Sequence, residues 1–189
     1  MDVRATAIPE VKLLSPRRFG DHRGYFCETW SAPRMAAAGL DVAFVQDNES
    51  LSAQVGTLRG LHFQAPPFAQ AKLVRVARGA IRDVAVDVRR GSPTFGRWVA
   101  EELSAASAAQ LLVPRGFLHG FVTLVPDTLV LYKVDNPYDA ASDGGVAWND
   151  PDLGVDWGWP ADAVVLSDKD RAQPAFRAWE SPFEYGVDA

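Results

Sequence analysis

From about position 44 the apolar residues of this chain fall in short extended runs, and one of them, 80–88, alternates with a period of two. The segments 44–46, 57–64, 72–78, 80–88, 97–103, 111–113, 121–125 and 128–134 are short and rich in β-branched residues. Gly, Pro, Asn and Asp separate them, which predicts strands. Within 80–88, Ala80, Arg82, Val84, Val86 and Val88 share one face, and Ile81, Asp83, Ala85 and Asp87 share the other. One face is largely apolar and the other carries two carboxylates, as expected of a half-buried strand. Helical signals are brief. In SAPRMAAAGL (31–40), Ser31 is a candidate N-cap, Pro33 fits the first turn and Gly39 is a natural stop. A short helical tail is predicted over 168–172, and SAASAAQ (104–110) reads as a turn between strands. Many short strands without intervening helices predict an all-β protein, an antiparallel sandwich or jelly-roll barrel with short peripheral helices.

Beyond Val134 the strand pattern fades. NPYDAASDGG (136–145) reads as a turn-rich loop, and WNDPDLGVDWGWP (148–160) holds three of the six tryptophans. The expectation is one domain over 1–189, with 135–189 as a loop-rich C-terminal appendage packed on the barrel. Composition fits a globular chain: 189 residues, 48% hydrophobic and 23% charged. No stretch approaches the ~20 apolar residues of a membrane span. The N-terminal MDVRATAIPEVK lacks the apolar core of a secretory signal. Cys27 is the only cysteine, so an intrachain disulfide and a Cys-rich zinc site are excluded, and a reducing cytoplasm is the expected compartment. With 24 acidic and 19 basic residues the net charge is −5. That disfavours generic nucleic-acid binding but leaves room for a local basic pocket for a phosphorylated metabolite.

Three histidines are present. His62 lies in TLRGLHFQ (57–64) and His119 in PRGFLHGF (114–121), each a short step after an Arg-Gly. Either is a hydrogen-bonded core histidine or a group for proton transfer near neutral pH. No His-x-His pair exists, and two histidines give too few ligands for a metal, so none is expected. Asp83 and Asp87, with Arg75, Arg78 and Arg82 nearby, read as a solvated or salt-bridged face. Tyr132 in TLVLYK reads as a buried tyrosine with a bonded hydroxyl, and Lys72 in AQAKLVRV as a surface lysine opening a strand. G-x-G-x-x-G, P-loop and G-x-S-x-G patterns are absent. The inventory suits proton transfer and leaves the substrate open.

Taken in order, a longer set of segments resembles one family. They are FGDHRGYFCETW (19–30), FVQDNES (44–50), LRGLHFQ (58–64), AQAKLVRVARGAIRDVAVDVRRGSPTFG (69–96), VPRGFLHGF (113–121), LYK (131–133), WNDPDLGVDW (148–157) and LSDKD (166–170). Together they resemble the deoxythymidine-diphosphate (dTDP)-4-dehydrorhamnose 3,5-epimerases of deoxysugar biosynthesis. The resemblance implies a cupin-like jelly roll, a homodimer, and no metal or nucleotide cofactor. It implies a dTDP-linked 4-keto-6-deoxyhexose as substrate, whose C4 ketone acidifies the C–H bonds at C3 and C5. A base on one face of the ring and an acid on the other would invert a carbon through an enolate.

By that resemblance His62 is the base, Asp170 the carboxylate that orients it, and Asp83 a second acidic neighbour of the same histidine. Tyr132 is the proton donor, and Lys72 stabilises the enolate oxygen. Arg59, His119 and Lys169 match contacts to sugar and diphosphate; Gln46, Asn48, Arg23 and Glu28 match contacts to the nucleotide. Tyr138 and Phe26 match groups that stack on thymine, with the Phe26 strand donated by the partner subunit. Two positions depart from the family pattern. Asp143 stands where a Glu is usual, followed by Gly144 in place of an Arg, and Ala71 replaces a Gly. Both bear on which carbon is inverted. A 3,4-ketoisomerase on the same barrel, or a sugar-nucleotide-binding or metal-binding cupin without activity, are the alternative readings. Arg59 and His62 have opposite parity, so sharing one cavity requires a break in the strand, and Gly60 allows it.

Overall fold

The computed structural model describes residues 1–187. In chain order the strands are β1 (Asp2–Ala5), β2 (Lys12–Ser15), β3 (Arg18–Asp21), β4 (Gly24–Cys27), β5 (Gln46–Ser52), β6 (Leu58–Gln64) and β7 (Lys72–Arg78). They continue with β8 (Ala80–Asp87), β9 (Trp98–Ser104), β10 (Gln110–Val113), β11 (Phe117–Thr123), β12 (Thr128–Val134) and β13 (Asp143–Gly145). Helix α1 spans Ala32–Ala37 and α2 spans Asp168–Arg171. One sheet has the order β1-β2-β10-β7-β12-β5, the second β13-β6-β11-β8-β9, and β3-β4 stand apart as a ribbon. Every named strand pair is antiparallel. Two such sheets, face to face over an apolar filling, make the jelly roll that the strand pattern predicts.

The filling between the sheets comes from alternate residues of both, among them Val74, Val76 and Val130 from the first and Ile81, Ala85, Val99, Phe117 and Phe121 from the second. The second sheet is covered on its outer side too. Leu58, Leu61, Val84, Val86, Leu118 and Val122 pack there against Trp148, Leu153, Trp157 and Phe183 from the C-terminal segment. Strand β8 is therefore buried on both faces, and the half-buried strand expected from its sequence is corrected: its last five residues are all buried. Asp83 and Asp87 are both at 0% exposure, so neither belongs to a solvated face. Asp87 is paired with Arg89 at 2.7 Å, not with the arginines of 75, 78 or 82.

Helix α1 covers the outer side of the first sheet, where Met35 packs with Leu14, Leu73 and Leu112. Pro at its start and Gly39 with φ +77° at its end bound it as expected, although the Ser31 side chain makes no capping bond. Several boundaries differ from the sequence reading. The strand placed at 44–46 begins at Gln46 and runs on to Ser52. β1 to β4 were not predicted; their four-residue runs are too short to show alternation. The loop at 136–145 ends in β13, a three-residue edge strand that pairs with β6. Among the described residues no helix is long and apolar enough to cross a membrane.

Candidate active site

The jelly roll opens between β5 and β12 on one sheet and β6 and β13 on the other. A cavity of about 410 Å³ lies there, bordered by Gln46, Asn48, Tyr138 and Asp143. A second lobe of about 290 Å³ continues inward, bordered by Ser50, Arg59, His119 and Asp170. His62, Lys72, Tyr132 and Lys169 line both lobes, so the two are one site.

Register explains why these side chains converge. Val134 lies opposite Lys72 and Tyr132 opposite Val74, so Lys72 and Tyr132 point to the same, inner side of the first sheet. Tyr132 is also paired with Asn48 of β5. That strand turns Gln46, Asn48, Ser50 and Ser52 inward and leaves Asp47, Glu49 and Leu51 exposed. On the second sheet His62 lies directly opposite His119. Pairing between β6 and β11 then slips between His119 and Phe121, and Gly60 sits at the slip with φ +143°. A Cβ at Gly60 would come within 2.6 Å of the Gly120 Cα. The slip brings Arg59 to the same lobe as His62, as their opposite parity required.

His62 Nε2 lies 2.5 Å from Asp170 Oδ1. Asp170 is buried at the end of α2, where the Ser167 hydroxyl donates to its Oδ2 at 2.8 Å and accepts from its backbone N–H at 3.1 Å. Burial pushes the Asp170 carboxyl up, but the bond and charge of His62, the Ser167 hydroxyl and the Lys169 ammonium outweigh it and hold it below the ordinary range. An ionised Asp170 accepts only, so His62 donates from Nε2, and in the neutral imidazole that tautomer puts the lone pair on Nδ1.

Asp83 makes its hydrogen bond to His119 and not to His62, whose carboxylate partner is Asp170. Asp83 Oδ1 lies 2.7 Å from His119 Nε2, so the site holds two His–Asp pairs side by side. Lys72, read from sequence as a surface lysine, lines both lobes of the cavity. Desolvation pulls its ammonium down to about 8, against the upward pull of Asp143 and Asp83. Burial raises the Tyr132 phenol, with Arg59 opposing. Asp143 accepts from the Tyr138 hydroxyl at 3.1 Å and from the Lys169 ammonium, tying the rim together. Gln46 accepts from the Tyr138 backbone N–H and donates to Asn48.

Four expected residues do not line this cavity: Arg23, Phe26, Glu28 and Asp83, the last enclosed against His119. Arg23 and Phe26 lie on the β3-β4 ribbon or its turn and Glu28 just after it; Arg23 pairs with Asp21 and Glu28 with Arg34. Sequence reading missed Ser50, Phe63, Gln64, Gln70, Phe121 and Ser167 as lining residues. Two signals could have found some of them: the inward polar alternation through β5, and the Ser-x-x-Asp spacing that caps α2. Among the described residues no group of three or more His, Cys, Asp or Glu side chains is placed to hold a metal.

Fold and site define a jelly-roll protein with a backed histidine and a tyrosine on facing walls of one polar cavity. The family model described as dTDP-4-dehydrorhamnose 3,5-epimerase matches residues 5–178. The chain is 54% identical to the dTDP-4-dehydrorhamnose 3,5-epimerase of Sinorhizobium fredii, across 98% of this chain and 94% of that one. A crystal structure of the Bacillus anthracis dTDP-4-dehydrorhamnose 3,5-epimerase, with TDP and PPi bound, superposes with a TM-score of 0.88 at 52% identity, covering 92% of this chain and 98% of that one. ChmJ, a 3'-monoepimerase from Streptomyces bikiniensis solved with dTDP-quinovose, superposes at 0.83 and 35% identity, covering 90% and 86%. The chain belongs to the dTDP-4-dehydrorhamnose 3,5-epimerase family.

Proposed function

We propose that the protein epimerises a dTDP-linked 4-keto-6-deoxyhexose at C3 and C5 without a metal or a nucleotide cofactor. The observation that carries this reading is the placement of His62, backed by Asp170, and of Tyr132 on opposite sheets across one cavity, with Lys72 beside Tyr132. His62 Nδ1 takes the proton α to the ketone, and the Asp170 carboxylate offsets the charge of the imidazolium that forms. Lys72 gives the C4 oxygen a cationic partner as the enolate develops. Tyr132 returns a proton from the other wall, which inverts the carbon. The 52–54% identity to the Bacillus anthracis and Sinorhizobium fredii 3,5-epimerases, against 35% to the 3'-monoepimerase, supports inversion at both carbons.

Arg59, Lys169 and His119 offer positive charge and N–H donors to the diphosphate and sugar. Gln46, Asn48 and Tyr138 form the mouth where thymidine would stack and bond, using binding energy remote from C3 and C5 to fix the ring. Asp143 ties Tyr138 to Lys169 at that mouth. We place Arg23, Phe26 and Glu28 in the partner subunit's site: the ribbon that carries or adjoins them pairs with neither barrel sheet and leaves Phe26 68% exposed. The free Cys27 fits a reducing cytoplasm.

Incubation with dTDP-4-keto-6-deoxyglucose in deuterated water, followed by NMR, tests the reading. Deuterium should enter at C3 and C5 with formation of the L-sugar epimer. A ketone moved to C3 would instead mark a ketoisomerase, and no turnover would mark a binding protein.

A further inference from the structure

Asp83 stands apart from the rest of the site because it is wholly enclosed. It projects inward from β8, at 0% exposure, behind His119. Oδ1 is bonded to His119 Nε2, but Oδ2 is buried and has no hydrogen-bond partner. A carboxylate enclosed in this way needs a compensating charge. His119 lines the inner lobe, and Lys72 of the facing sheet lines the same lobe.

We propose that Asp83 is a positioning residue whose carboxylate is the counter-charge of the Lys72 ammonium, with His119 fixing its orientation. The catalytic consequence rests on the epimerase reading; the charge coupling itself does not. Desolvation pulls Lys72 down to about 8, Asp143 and then Asp83 pull it up, and Lys169 pushes it down. The His62–Asp170 pair, His119, Arg59 and Tyr132 also border the lobe. Removing the Asp83 charge acts in the same direction as desolvation, so Lys72 would lose its proton closer to neutral pH. A neutral amine cannot balance an enolate as an ammonium does.

The test is the pH dependence of Lys72 acetylation by acetic anhydride in the ligand-free protein, followed residue by residue by mass spectrometry. Only the neutral amine reacts. The midpoint should lie near 8 in the wild type. In Asp83→Asn it should fall by about 1 unit, the scale of a nearby opposite charge. The alkaline limb of kcat/KM should move with it. Asp83→Ser, which leaves room for a water against His119, serves as the second variant, and cooperative unfolding with retained dTDP binding certifies each. An unmoved Lys72 midpoint in a folded variant overturns the proposal, whatever happens to the rate. Failure of both variants to fold makes Asp83 a packing residue and overturns it equally. Absence of turnover in the wild type would sink the epimerase reading and leave the acetylation result fully readable.

Discussion

His62 and Asp170 are separated by 108 positions in the chain and meet at 2.5 Å, so their partnership depends on one short helix docking against β6. Ser167 caps that helix and bonds the free oxygen of Asp170, which leaves the carboxylate a single orientation towards the imidazole. Asp170→Asn keeps the shape but cannot hold the same tautomer or balance an imidazolium. Turnover should fall by about 10²–10⁴-fold, the range for general acid–base catalysis, while dTDP affinity stays near the wild-type value. Calorimetry beside steady-state rates separates the two, and a collapse of binding together with rate would make Asp170 structural. The sequence made this pair legible only through family resemblance. Ser-x-x-Asp marks a helix start, but nothing local says which histidine the aspartate will face. Asp83 shows the limit: residue type and order placed it in the site, and only the pairing of β8 with β11, which sets Asp83 opposite Phe121 two residues from His119, decides that it bonds His119.

At the scale of elements, β7 and β12 match their predicted bounds because each is a seven-residue β-branched run between clear turns. The exposure of β8 was not legible, because what buries its outer face lies about sixty or more residues later, in Trp148, Leu153, Trp157 and Phe183. That double burial makes the end of β8 a demanding place for a charge. Asp87 accepts from the Arg89 guanidinium, Ser92 and Thr94 hydroxyls, and Arg89 reaches on to Glu10. Burial pushes the Asp87 carboxyl up, but those bonds outweigh it and leave it below its ordinary 3.8. A carboxyl depressed in the folded state adds stability above the unfolded value and loses it as pH falls through the folded one. Asp87→Asn should cost about 3 kcal/mol at neutral pH, the lower end for breaking a buried pair, because the buried Arg89 keeps only Glu10 as counter-charge. Denaturant titrations should show the gap to wild type narrowing below about pH 4; a gap of constant size would mean that the network's charge contributes nothing.

At the scale of the whole molecule, the ribbon β3-β4 is the feature that a single chain leaves unexplained. Phe19, Tyr25 and Phe26 are 47%, 62% and 68% exposed on it, a cluster of large apolar groups that asks for cover. The dimer reading supplies that cover in the partner's cavity mouth. Sedimentation should give a dimer at micromolar concentration, and Phe26→Ala should weaken dTDP binding; a fully active monomer would contradict both. In the proposed mechanism the two sheets divide the chemistry, the histidine wall removing a proton and the tyrosine wall returning one. Tyr132→Phe is the measurement that tests this division most directly. In deuterated water, NMR of substrate and product should show epimer formation reduced by about 10²–10⁴-fold. Exchange of the substrate's α-protons should fall much less, because His62 can still remove a proton and return a deuteron to the same face, whereas His62→Ala should abolish exchange and epimerisation together. Epimerisation by Tyr132→Phe at the wild-type rate would contradict the account, since the far-face acid would then not be Tyr132.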